Sequence, residues 1–327
     1  MVYVYRHDKT QITYGKEATW GTAAVGSIWM GHVQSHEPDW NYNIKGVRYI
    51  GSNNRTKDDY YELATDIKGK IEVYPQDWRM LTYAFGKVSS AGGSAPYTHT
   101  ITESGALPSF TLEDIFISNT ASNAGNVKYL AKGCMIDTLE ISGNPGEPIT
   151  MSIDYIGQTG SKIASGTKTT VTAATTKVMR SEMTELSNLT GAGINGAISG
   201  LDTYTFRIKN NLSPRGYLNN SKDIGGIETG GVDYEFKFKI DATEATLSEF
   251  ENGMHQAGST FNADMYIFRT SGTDQAHIWM SGARVIDIDV PRQVEPGPVE
   301  IEITAEPQTA GAIIKDAIVA SGDMDYP

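Results

Sequence analysis

The sequence predicts a mainly β protein: two tandem β-sandwich or partly closed barrel units, each with one short flanking α-helix. Three observations carry that expectation. Strand-length runs alternate apolar and polar residues, Pro-Gly reversals separate such runs, and the same order of elements can be read once in each half.

In the first half Ile67, Gly69, Ile71 and Val73 alternate with Asp66, Lys68, Lys70 and Glu72, a period of two that ends at Pro75. Trp78, Leu81 and Phe85 then fall at i, i+3 and i+7, one stripe of a short helix that stops at Gly86. The second half repeats this with Tyr234, Phe236, Phe238 and Ile240 against Glu235, Lys237 and Lys239, followed by helical spacing of Leu247, Phe250 and Met254. Thr246 and Glu249 have the spacing of a capping box. A further strand follows each helix, Phe110 to Ile117 and Phe261 to Arg269.

Each half closes on a hairpin. Gly133 to Ile141 turns at Pro145-Gly146-Glu147-Pro148 and returns through Ile149, Met151, Ile153 and Tyr155. Gly282 to Val290 turns at Pro296-Gly297-Pro298 and returns through Val299, Ile301 and Ile303. On the second hairpin Ile286, Ile288 and Val290 are expected on the core side, with Asp287 and Asp289 opposite. These divisions give a first unit over 1–165, a Thr- and Ala-rich linker over 166–178, and a second unit over 179–327.

Composition bounds the function. With 27 basic against 39 acidic residues the net charge is −12, so tight binding to nucleic acid or anionic lipid is not expected of the whole molecule. Cys134 is the single cysteine, which excludes an internal disulfide, and it reads as a small buried apolar residue. The N-terminal run is not a secretory signal, and no apolar stretch approaches the roughly 20 residues of a membrane span.

The search for chemistry returns little. Gly191, Gly193 and Gly196 match a dinucleotide-binding glycine pattern, but no buried strand is expected before them and no amphipathic helix after them. His32 and His36 stand four apart next to Pro38, outside any helical period, and a metal site needs three or four converging ligands. Neither a nucleophile elbow nor a phosphate loop is present. No catalytic, metal or cofactor-binding residue is assigned, no cofactor is expected, and the protein is read as a non-enzyme.

The carboxylates read instead as a surface. Asp287 and Asp289, then Glu300 and Glu302, oppose core-facing Ile and Val on the second hairpin, and Glu140 and Asp154 take the milder equivalent places on the first. Two segments lack strong periodicity. Ser89 to Ala106 reads as a loop, and so does Asn41 to Ala64, where Tyr42, Tyr49 and Tyr60 stand among Arg48, Arg55, Lys57, Asp58 and Asp59. The second is the stronger partner-binding candidate, because long irregular loops in compact domains usually bind something.

The run Tyr14-Gly15-Lys16-Glu17-Ala18-Thr19-Trp20-Gly21-Thr22 resembles the start of tail tube proteins of long-tailed, siphovirus-like bacteriophages. That resemblance implies a virion protein, assembled in the host cytoplasm, whose copies stack as rings around a channel through which the genome is ejected. With two tube units per chain it implies homotrimeric, pseudo-hexameric rings, the alternative being a homohexamer. It further implies that Glu140, Asp154, Asp287, Asp289, Glu300 and Glu302 line the channel, and that Asn41 to Ala64 joins ring to ring. Tape measure, terminator and distal tail proteins are the implied partners at the tube ends, and DNA is a transient, non-specific one. The rival reading from another class is a receptor- or carbohydrate-binding β-sandwich of the fibre or adhesin kind, its seventeen tyrosines stacking on sugars.

Overall fold

A computed structural model describes residues 10–41, 43–49, 56–57, 59–62, 65–118, 125–164, 167–171, 174, 176–190, 198, 200–216, 223–247, 250, 258–270, 273–290 and 299–318. The first half runs β1 (Thr10–Lys16), β2 (Ile28–Trp29), β3 (His32–Asn41), β4 (Ile44–Val47), β5 (Asp59–Glu62), β6 (Asp66–Tyr74), α1 (Arg79–Phe85), β7 (Gly86–Ala91), β8 (Tyr97–Glu103), β9 (Phe110–Phe116), β10 (Val127–Gly143), β11 (Thr150–Gly157) and β12 (Thr159–Ala164). The second runs β13 (Thr184–Thr190), β14 (Leu201–Lys209), β15 (Ser213–Arg215), β16 (Gly226–Glu228), β17 (Asp233–Asp241), α2 (Glu244–Leu247), β18 (Thr260–Thr270), β19 (Asp274–Asp289), β20 (Glu300–Glu306) and β21 (Thr309–Asp316). The fold is mainly β and every pairing is antiparallel, as the alternation predicts. Followed from strand to strand, the pairings among the described residues never return to their start, so the sheets are open.

Two long strands organise the molecule. The first part of β10 pairs with β9 and β12; its second part pairs with β11 and β14. The break falls at Gly133, whose φ of 64° only glycine adopts without strain. β19 behaves similarly about Gly282, φ 63°: it pairs with β21 before the bend, with β18 up to Arg284 just past it, and with β20 from Arg284 on. A bulge follows each glycine, between Ile136 and Thr138 in β10 and between Val285 and Asp287 in β19. The strand plan of the first half therefore recurs in the second, with β1, β3, β6, β9, β10, β11 and β12 matched by β13, β14, β17, β18, β19, β20 and β21.

Alternation fills the core. Ile67, Ile71 and Val73 of β6 and Phe236, Phe238 and Ile240 of β17 belong to one continuous buried cluster that spans both halves. Helix α1 buries every residue from Met80 to Phe85 and ends as expected at Gly86, which is left-handed and donates its N–H to the Thr82 carbonyl. The cap of α2 differs from the expected Thr246–Glu249 pair. Thr243 is the cap, its Oγ1 accepting the Thr246 N–H at 3.1 Å while the Thr246 hydroxyl accepts the Thr243 N–H at 2.7 Å. Phe250 is buried, and Glu249 and Met254 lie outside the described residues.

Two further expectations are corrected. Ser89 to Ala106 holds strands, since β7 and β8 form a hairpin whose second strand, β8, pairs with β21 of the second half. Ile286 is 44% exposed, because the bulge passes the inward place to Val285. The expected linker is held against the first half: Thr169 donates its hydroxyl to Glu113 at 2.8 Å, and Gln76 donates its amide to the carbonyls of Ala174 and Thr176. Ile313 and Ile314 lie on strand β21, inserted between β19 and β8 of the same chain.

Candidate functional site

The two halves join edge to edge. β10 pairs with β14, placing Leu139 opposite Ile208, Glu140 opposite Arg207 and Ile141 opposite Phe206. The result is one sheet in the order β3, β6, β11, β10, β14, β17, β20, β19, with Leu139, Ile141, Phe206 and Ile208 buried on its inner side.

The other side of that sheet is charged, and all six carboxylates singled out in the sequence lie on it. Glu140 stands between Ser152 and Arg207, and Asp154 between Lys70 and Thr138. Burial pushes the Asp154 carboxyl above the usual range, Lys70 pulling the other way. Asp287 is opposite Thr304, and Asp289 opposite Glu302. Glu302 and Glu300 are ion-paired with Lys237 and Lys239, and Lys239 also reaches Asp202 at 3.4 Å.

An acidic face alone is therefore not what forms. Lys70, Arg207, Lys237 and Lys239 project to the same side and alternate with the carboxylates across the strands. Alternation within each strand shows that Lys237 and Lys239 oppose a core face; that they share a surface with Glu300 and Glu302 depends on which strands are neighbours. Asp287 and Asp289 remain exposed, without an ion-pair partner among the described residues.

The second candidate region is a projecting hairpin, not an irregular loop: β4 and β5 pair from Ile44–Glu62 to Val47–Asp59. Ile44 and Tyr60 are 62% and 63% exposed, Tyr49, Arg48, Lys57 and Asp59 are also exposed, and the Lys57 ammonium lies 5.7 Å from the centre of the Tyr60 ring. Tyr42, Arg55 and Asp58 fall outside the described residues. The matching hairpin of the second half, β15–β16, is instead flanked by segments docked on the first half. Leu212 and Ile224 pack with Met135 and Ile156, and the Ile224 N–H donates to the Gln158 carbonyl at 3.1 Å. One arm is seated within the chain, and the other presents its apolar residues outward.

Glu17 is the residue that sequence reasoning passed over. Its buried carboxylate accepts the N–H groups of Gly21 and Gly133, both at 2.8 Å, and the hydroxyls of Ser109 and Thr111, both at 2.7 Å. Trp20 adds an indole N–H to the Gly133 carbonyl at 3.2 Å. The N-terminal run thus pins the bend of β10, the strand that joins the two halves. The run itself was visible in the sequence; its partners some hundred residues away were not.

Of the side chains weighed for chemistry, His36 and Cys134 have structural settings, and His32 is exposed at the start of β3. The His36 side chain is buried between Asp114 (2.9 Å) and the Tyr155 hydroxyl (3.0 Å). Cys134 is buried, and burial pushes its thiol well up, away from nucleophilic reactivity. No group of three metal-ligating side chains occurs among the described residues, and no described helix is long and apolar enough to cross a membrane. Against expectation a strand with buried Leu186 and Leu189, β13, ends directly before the glycine-rich run 191–196, which itself lies outside the described residues.

A mainly β chain whose halves repeat one strand plan and share one sheet, with strand edges open at both ends of that sheet among the described residues, has the construction of a self-assembling structural protein. Residues 8–306 match the family model described as phage tail tube protein, and the chain belongs to that family. It is a structural protein of the phage tail. No curated protein matches it. Among solved structures it is similar to a chain of the anti-feeding prophage (AFP) baseplate, determined by cryo-EM with 6-fold symmetrisation. The identity there is 10%, over 54% of this chain and 92% of the other, with a TM-score of 0.26, too slight to fix the fold.

Proposed function

We propose that the chain forms stacked rings of the tail tube of a siphovirus-like virion, a wall around the channel through which the genome is ejected. The unit of construction is a half chain, 1–165 or 179–327, bridged by 166–178. Three chains supply six such units, so a trimer has the outline of a hexameric ring. The observation that carries this reading is the β10–β14 joint, in which one half extends the sheet of the other as neighbouring subunits of a ring would. The charged side of the sheet faces the channel. Its unpaired carboxylates, Glu140, Asp154, Asp287 and Asp289 among them, repel the DNA backbone, while Lys237 and Lys239 are neutralised by Glu302 and Glu300. The role is mechanical and needs no catalysis or cofactor. Tape measure, terminator and distal tail proteins meet the tube at its ends. Native mass measurement on isolated rings tests the count: three chains per ring are expected, and six would assign the second half to another task, such as decorating the exterior.

Ring-to-ring contact falls to the β4–β5 hairpin, whose exposed Ile44, Tyr49 and Tyr60 need cover. Replacing residues 44–62 with a short Gly-Ser turn is expected to leave single rings that no longer stack, seen by negative-stain microscopy. Tubes of normal length would remove the hairpin from this role.

A further inference from the structure

The chain carries an internal template for the seam between neighbouring copies. Within the chain, the bent end of β10 pairs with β14. Its counterpart, the bent end of β19, pairs with β20 on one side, and beyond Arg284 its other edge has no strand among the described residues. The counterpart of β14 is β3, which pairs with β6 on one side and on its other edge also has no strand among the described residues. One half of a joint is thus presented at each end of the eight-stranded sheet.

The bulges fix how the counterparts align. In β10 and β19 the glycine bend is followed at the same interval by a bulge, so Thr138, Leu139 and Glu140 correspond to Asp287, Ile288 and Asp289. In β3 the pairing to β6 slips between Val33 and Ser35, and in β14 the pairing to β17 slips between Leu201 and Thr203. From these slips Asp39, Trp40 and Asn41 correspond to Arg207, Ile208 and Lys209. Both edges carry partly buried apolar residues against the core, Trp40 on β3 and Ile288 with Val290 at the end of β19.

We propose, resting on the ring reading above, that the β19 end of one copy pairs antiparallel with β3 of the next. The register transferred from the internal joint puts Asp287 opposite Asn41, Ile288 opposite Trp40 and Asp289 opposite Asp39 of a second copy. The apolar pair continues the buried side of the sheet, as Leu139 and Ile208 do inside the chain. The charged pair differs in kind. Where the internal joint sets Glu140 against Arg207, the seam sets one carboxylate against another, and like charges directly opposed weaken a strand pair. The same carboxylates keep the free chain's edges from pairing indiscriminately, because charged side chains on an open edge discourage pairing. The seam between copies is therefore the weaker of the two joints.

Disulfide trapping reads the register directly. Asp39 and Asp289 are exposed, and the native Cys134 is buried. In the full chain carrying Asp39→Cys and Asp289→Cys, mild oxidation of rings verified by microscopy is expected to give a ladder of covalent multimers ending at the ring. Each single variant should stay monomeric on the gel. Glu37→Cys with Asp289→Cys, two residues out of register, should not cross-link, because that separation exceeds disulfide reach. Rings that form but cross-link only in the shifted pair, or in neither, overturn the seam and leave the tube reading standing. Wild-type chains that never form rings overturn the tube reading itself. Independently, Asp39→Arg restores the charge pairing of the internal joint and is expected to lower the protein concentration needed for rings about tenfold; an unchanged or raised threshold would contradict the assignment.

Discussion

Replacing Glu17 with glutamine is expected to lower the unfolding free energy of the unassembled chain by about 3 kcal/mol, the cost of stranding a buried donor and losing charge-assisted hydrogen bonds. The geometry makes the loss unavoidable. One carboxylate oxygen accepts the Gly21 N–H and the Ser109 hydroxyl, the other the Gly133 N–H and the Thr111 hydroxyl. A hydroxyl can rotate to accept a hydrogen bond from an amide; a backbone N–H cannot. Whichever way the glutamine sits, its NH2 group faces either Gly21 or Gly133. Glu17→Ala abandons all four donors and should cost more. Urea unfolding followed by tryptophan fluorescence measures both, and a midpoint for the glutamine variant indistinguishable from wild type would show that the carboxylate is not needed. The defect should spread beyond stability, since Gly133 is the bend of the strand that joins the two halves.

What could be read from the residues divides along the range of the interaction. The alternation at Ile67 to Val73 and Tyr234 to Ile240, and the stripe through Leu81 and Phe85, report local geometry, and these elements form as expected. Strands β7 and β8 could not be read that way. His99 of β8 is buried through bonds to Ser90 and to the carbonyl of Ile318, and Thr98, Thr100 and Thr102 give no apolar period. Their strand character comes from lying beside β21, which is distant in sequence. The bulge that turns Ile286 outward leaves no mark in composition. The charged face was half legible. That Asp287, Asp289, Glu300 and Glu302 share a side follows from period two, but their neighbours Lys237 and Lys239 come from another strand, and only the β17–β20 pairing brings them together. Glu17 was visible in the opening run without its purpose, because Ser109, Thr111 and Gly133 are supplied by β9, β10 and the approach to β9.

Those lysines also decide how the channel reading is best tested. Reversing Glu300 or Glu302 sets a lysine against Lys239 or Lys237, and the damage would fall on the sheet before it fell on the channel. Glu140 and Asp154 are no better placed, since a lysine there would stand opposite Arg207 or Lys70, whereas Asp287 and Asp289 stand opposite Thr304 and Glu302. Asp287→Lys and Asp289→Lys together are expected to leave rings and tubes assembled while slowing DNA release from purified particles about tenfold or more at low salt. The physical reason is counterion release: each phosphate that an introduced lysine neutralises steepens the fall of binding with salt by a logarithmic slope of about 0.9, so a moving DNA is held at low salt and freed at high salt. Recovery of the release rate as salt is raised separates this from a mere obstruction of the bore, which salt would not relieve. Release at the wild-type rate from particles carrying both changes, at any salt, would mean that the charged side of the sheet does not face the DNA.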